Sequence, residues 1–205
     1  DRDAIVKIIG GKLSRSPWSQ ILSQNLLADQ PTDVYTMDVE KAKQLVKDSG
    51  VPTPINITLA NFSDAPAPQV SASIKEALEA VGFKVTVKAL SADVYYGFLA
   101  DPKSDYNIGM AGWGEDYADA ITYYGPLLLC GQGSNYGQFC DKSFDSKVAE
   151  INQLPPGADR TGQFAQLSTD TATNLAPWAT VDLRRKISLD RKSTRLNSSH
   201  EWISR

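Results

Sequence analysis

The chain predicts one α/β domain, on three observations. Two segments, 55–60 (INITLA) and 83–90 (FKVTVKAL), alternate apolar and polar residues, the period of a half-buried strand. Between them Val70, Ile74, Leu78 and Val81 recur at the spacing of one helical face. The 205 residues are 41% hydrophobic and 22% charged, the balance of a globular protein that can bury a core.

The elements follow in order. Residues 1–10 read as a helix stopped by Gly10 and Gly11, and 12–37 as a loop rich in Ser, Gln, Asp and Pro. Asp38 can cap a helix over 39–49 whose stripe is Val39, Ala42, Leu45 and Val46, with Gly50 ending it. Pro52 and Pro54 precede the first strand; Pro66 and Pro68 open the next helix, where proline is tolerated. Gly82 ends that helix, and the strand–helix–strand unit implies a right-handed crossover between parallel strands. A helix at 91–100 and a buried strand at 105–113 (DYNIGMAGW) come next. Helices are expected at 118–129, at 142–154 with Phe144, Val148 and Ile151 inward, and at 158–175 with Phe164, Leu167 and Leu175 inward. A last strand is expected at 177–187.

The ends read differently. The opening DRDAIVK has no initiator Met and starts as if within a helix, so truncation is expected and a targeting segment cannot be read. Residues 190–200 (DRKSTRLNSSH) resemble a common sequencing adapter translated codon for codon, so 190–205 are expected to be an artefactual, disordered tail. Without that tail 17 basic and 22 acidic residues remain, a net charge of −5, and no histidine, since His200 lies in it. An acidic chain with no Lys/Arg cluster argues against nucleic-acid binding. The absence of histidine argues against His-dependent catalysis, and no apolar run is long enough to span a membrane.

Two places can carry chemistry. Cys130 and Cys140 flank a Gly-rich loop that can bring their sulfurs together; free core thiols are the alternative, and two ligands without a neighbouring His support no metal. Trp113-Gly114-Glu115-Asp116 follows an expected strand, where α/β sheets gather ligands. It offers an aromatic wall and an anion, or a core Trp with a capping Asp. Glu115 and Asp116 as a general acid/base pair lack a companion nucleophile, and no phosphate-binding Gly motif or GxSxG is present.

Five motifs occur in order: DRDAIVK, DVEKAKQLVKDSGV, IKEALEAVGFKVTVKAL, DYNIGMAGWGEDYAD and SNYGQFCDKSFDSKV. Together they resemble the C-terminal lobe of the extracytoplasmic solute-binding proteins of family 5, over residues 1–189. The resemblance implies one lobe of a periplasmic-binding-protein type II fold, a mixed β-sheet flanked by helices. It implies a non-enzymatic receptor, in the periplasm or lipid-anchored at the cell surface, that captures peptides between two lobes and delivers them to an ABC permease. Its expected partners are a peptide and the permease, with no nucleic acid, cofactor or metal, and the chain is expected to be a monomer. By motif, Trp113 and Asp116 are ligand-binding, with Asp116 holding the peptide ammonium, and replacing Glu115 by alanine is expected to cost little affinity; Cys130 and Cys140 form a disulfide. Two departures stand out. Met110 occupies a position often basic in oligopeptide binders, and YADA lacks the usual proline. Receptors of this frame for a nickel chelate, haem or a sugar, chemosensory receptors, and a secreted enzyme are the alternatives.

Overall fold

The computed structural model describes residues 1–184. The expected tail at 190–205 and the end of the last expected strand lie outside the described residues. Helix α1 (Arg2–Ile8) is capped by the Asp1 carboxylate, which accepts from the Ala4 amide. Strand β1 (Arg15–Pro17) follows, then one 3₁₀ turn at Gln24–Leu26. Helix α2 (Val39–Asp48) leads to the unit β2 (Ile55–Phe62), α3 (Ala67–Glu79) and β3 (Phe83–Leu90). Then come α4 (Ala92–Ala100), β4 (Ile108–Gly109), α5 (Ile121–Leu128), α6 (Lys142–Asn152), α7 (Ala158–Asp170) and β5 (Asp182–Arg184).

The expected parallel pairing is present: β2 runs beside β3 in register from Ile55–Phe83 to Phe62–Leu90. On its other edge β2 pairs in parallel with β4, giving the order β3-β2-β4. A separate antiparallel pair joins β1 to β5. The architecture is mixed α/β, with sheets flanked by helices. The larger core gathers Trp18, Leu22, Leu27, Tyr124, Phe144 and Phe164 around α5, α6 and α7; a smaller one packs Ala60, Tyr95 and Leu99 under the parallel sheet.

Four differences from the sequence reading have physical causes. The segment 12–37 lacks long elements, yet much of it is buried. Gln20 is fully buried because its amide donates to Pro31 O (2.7 Å) and Thr169 Oγ1 (2.9 Å) and accepts from Ser168 Oγ (2.8 Å). Polar composition there signals satisfied burial rather than exposure. Helix α2 forms with Asp38 as cap, but its stripe buries nothing among the described residues, and Leu45 is 60% exposed. Strand β4 is far shorter than 105–113. The ladder is extended by Asn107 N and Met110 N, which donate to Thr58 O (2.9 Å) and Ala60 O (3.2 Å). Gly109 is required there, because a Cβ would come within 2.7 Å of the buried Leu99 side chain. Finally, Leu175 faces outward, 43% exposed, because α7 widens into a π turn at Thr171–Leu175 that rotates the stripe.

Candidate functional site

The C-terminal ends of β2 and β4 set the site. Tyr95, fully buried on α4, places its hydroxyl 2.6 Å from Met110 O and 3.0 Å from Ala60 O, clipping the two strand ends together. Burial pushes its phenol well above the ordinary value, so the clip stays neutral. The chain leaves the sheet at Met110 and Ala111. Beside it lies an open hollow of about 190 Å³, lined by Phe62, Met110, Ala111, Ile5, Arg15 and Asp182. Arg15 Nη1 pairs with Asp182 Oδ2 at 2.5 Å, bracing β1 against β5.

The loop that follows carries three carboxylates with three different fates. Glu115 turns inward: Oε2 accepts from Ser23 Oγ (2.7 Å) and Tyr123 OH (3.4 Å), and Oε1 from Asn25 Nδ2 (3.3 Å). Asp119 accepts from the Ile121 amide (3.1 Å) at the start of α5 and pairs with Arg160 of α7 (2.5 Å). Burial alone would push the Asp119 carboxyl up. The Arg160 hydrogen bond, the Ile121 amide and the guanidinium charge outweigh it and hold the group below its ordinary value. Arg160 also donates to Asn152 Oδ1 (2.6 Å) and lies 5.0 Å over the Phe164 ring. Asp116, between them, is exposed and has no partner among the described residues.

Trp113 is held by its rim. Nε1 donates to Thr122 O (2.8 Å), leaving the indole 38% exposed. Trp113 and Asp116 therefore sit on one loop, outward and beyond the parallel strand ends. The Trp follows β4 by four residues rather than ending the strand. The arrangement offers an aromatic surface and an uncommitted anion, and among the described residues no group of metal-ligating side chains accompanies them.

Cys130 and Cys140 are disulfide-bonded, with Cα atoms 4.5 Å apart. Inside that loop Asn135 donates to Leu129 O (3.1 Å) and Phe139 O (2.6 Å), and Tyr136 O accepts from Tyr106 OH (2.7 Å). The bridge thus braces Tyr106, which packs on Gly109 of β4. Replacing both cysteines with serine should lower unfolding free energy by about 2–3 kcal/mol on the chain-entropy model. Urea unfolding of the oxidised parent and the double variant measures it, and equal midpoints would contradict the bracing role.

The inward partners of Glu115 were not legible in the sequence. Ser23 and Asn25 lie 92 and 90 residues upstream, in a segment with no periodic signal.

A family model described as bacterial extracellular solute-binding proteins, family 5 Middle, matches residues 1–135. The chain belongs to the bacterial extracellular solute-binding proteins of family 5. It is 29% identical to the dipeptide-binding protein of Escherichia coli strain K12 over 154 residues, covering 72% of this chain and 29% of that protein. Its fold matches the Escherichia coli murein tripeptide binding protein MppA with a TM-score of 0.79 at 16% identity, over 90% of this chain and 37% of that one. It also matches NikA from Staphylococcus aureus, solved with Ni(L-His)2, with a TM-score of 0.71 at 16% identity, over 84% of this chain and 38% of that one. The fold is thus that of the type II periplasmic binding proteins, and the chain spans about a third of the length of these relatives. Family 5 proteins and these neighbours are binding proteins rather than enzymes.

Proposed function

We propose that this chain is the C-terminal ligand-binding lobe of an extracytoplasmic receptor, held in the periplasm or by a lipid anchor. It captures peptides in a cleft between two lobes and presents them to the permease of an ABC importer. The observation that carries the reading is the fate of the three loop carboxylates: Glu115 and Asp119 are committed internally, while Asp116 is exposed and unpartnered among the described residues. An uncommitted carboxylate three residues from an exposed indole suits a peptide's terminal ammonium, for which the carboxylate is a counter-charge and the indole face a cation–π partner.

Closure of a second lobe over the loop excludes water and strengthens that ion pair. The hollow beside Phe62 and Met110 accommodates an apolar side chain without reading its identity, which makes selectivity for peptide sequence low. The receptor is monomeric and performs no bond-making step. The dipeptide and murein-tripeptide relatives support a peptide, while the neighbour solved with Ni(L-His)2 makes a metal chelate the alternative cargo.

Mass spectrometry of whatever co-purifies with the full-length receptor tests the ligand class. Short peptides with free amino termini are the expected outcome. Recovery of a metal chelate, haem or a sugar in their place would overturn it.

A further inference from the structure

Glu115 and Asp116 are neighbours in the chain with opposite surroundings: Glu115 is half-buried, whereas Asp116 is exposed where the chain enters the bend at 116–119. Tying down the Glu115 side chain also fixes the backbone that carries Asp116. Glu115 is fixed inward by three donors from two directions. Ser23 is the buried residue that starts the 3₁₀ turn, Asn25 is an exposed residue within that turn, and Tyr123 belongs to α5 in the larger core. Ser23 is only 8% exposed and Tyr123 only 7%, so the inward side of the loop is tied to rigid ground.

The Ser23 hydroxyl has one proton and two acceptors within reach, Glu115 Oε2 at 2.7 Å and Asn25 Oδ1 at 2.6 Å. The carboxylate is the stronger acceptor and takes it. Without the Glu115 side chain that proton turns to Asn25, and the 23–25 segment loses its link to the loop. Among the described residues no other side chain fixes the loop at this point. Trp113 Nε1 holds it at one end and Asp119 at the other, both to α5 or α7. Among the described residues, Glu115 is the side chain that joins it to the chain some 90 residues earlier.

We infer that Glu115 is a positioning residue for ligand capture: bound to Ser23, Asn25 and Tyr123, it aims Asp116 into the cleft without touching the ligand. This rests on the anchor role proposed for Asp116. It assigns Glu115 neither acid/base chemistry nor a redundant second charge. Its job is acceptor geometry, so an amide of the same shape can do most of it.

The test has two arms. In the full-length receptor, with trialanine as the probe in calorimetry, Glu115→Ala should weaken binding about tenfold, the scale seen for coupled neighbours. Glu115→Gln should stay within about threefold, since its amide oxygen still accepts from Ser23. Ser23→Ala should weaken binding in the same direction as Glu115→Ala. In an Asp116→Ala background, Glu115→Ala should add less than about a twofold loss, because it acts through the missing anchor. Losses that simply multiply, or unchanged affinity in Glu115→Ala, would overturn the inference.

The second arm needs no ligand. Amide hydrogen exchange across residues 113–119 of the present chain should quicken about tenfold in Glu115→Ala and remain near the parent rate in Glu115→Gln. Unchanged exchange in both variants refutes the tether. If Asp116→Ala binds trialanine normally while exchange still quickens, the anchor reading has failed and the tether has not.

Discussion

Asp116→Ala should reduce the affinity of the full-length receptor for a free-amino peptide by roughly 10²–10³ or more. Removing one partner of a buried ion pair costs about 3–5 kcal/mol, because the remaining charge is left without compensation. Each tenfold in affinity corresponds to about 1.4 kcal/mol. In the lobe by itself Asp116 is exposed, where an ion pair contributes about 0–1 kcal/mol. The large effect therefore belongs to the closed, two-lobed state, and the present chain alone should bind trialanine no tighter than millimolar. Its thermal midpoint should not change on the substitution, since no described side chain depends on Asp116. Calorimetry on parent and variant measures the difference; affinities within threefold of each other would remove Asp116 from the site.

Phe164→Ala should produce the largest loss of stability, about 3–5 kcal/mol, the usual result of truncating a buried aromatic. Phe164 is 1% exposed and stacks on Tyr124 with ring centroids 5.4 Å apart. It also carries the Arg160 guanidinium, 5.0 Å above its ring. Arg160 in turn holds Asp119 at the end of the candidate loop. The substitution thus opens a cavity in the larger core and loosens the support of the site. Thermal unfolding should show a fall in Tm on the order of 10 °C. A loss below about 1 kcal/mol would mean that α7 is not a principal wall of the core.

The parts of the fold that the sequence made legible are those whose burial is regular. The β2–α3–β3 unit repeats its apolar residues at the periods of two and of three to four; α3 ends at Glu79, before the expected Val81, and Gly82, at a φ of +109°, makes the turn into β3. Phe144, Val148 and Ile151 are all buried on α6 for the same reason. The segment 12–37 was opaque because its burial is irregular and polar. Gln20 satisfies its amide against Pro31, Thr169 and Ser168, and no local pattern announces such partners. The α2 stripe misled in the other direction, for it is periodic yet none of it is fully buried among the described residues. In the site, Trp113 and Asp116 were reached through resemblance to a family, since a Trp with an acid three residues on is weak by itself. The division of labour between Glu115 and Asp116 came only from three-dimensional neighbours, because adjacent acids look alike in sequence and differ in which side of the loop is tied down.

Ligand capture turns on one contact, an exposed carboxylate beyond the strand ends that receives a peptide's ammonium. Trialanine and N-acetyl-trialanine differ at that group and share the rest of the peptide chain, so titrating both into the full-length receptor isolates it. Acetylation removes the charge that Asp116 would pair with, and the account predicts that the acetylated peptide binds roughly 10²–10³ more weakly than the free one. Equal affinity for the two peptides would contradict it.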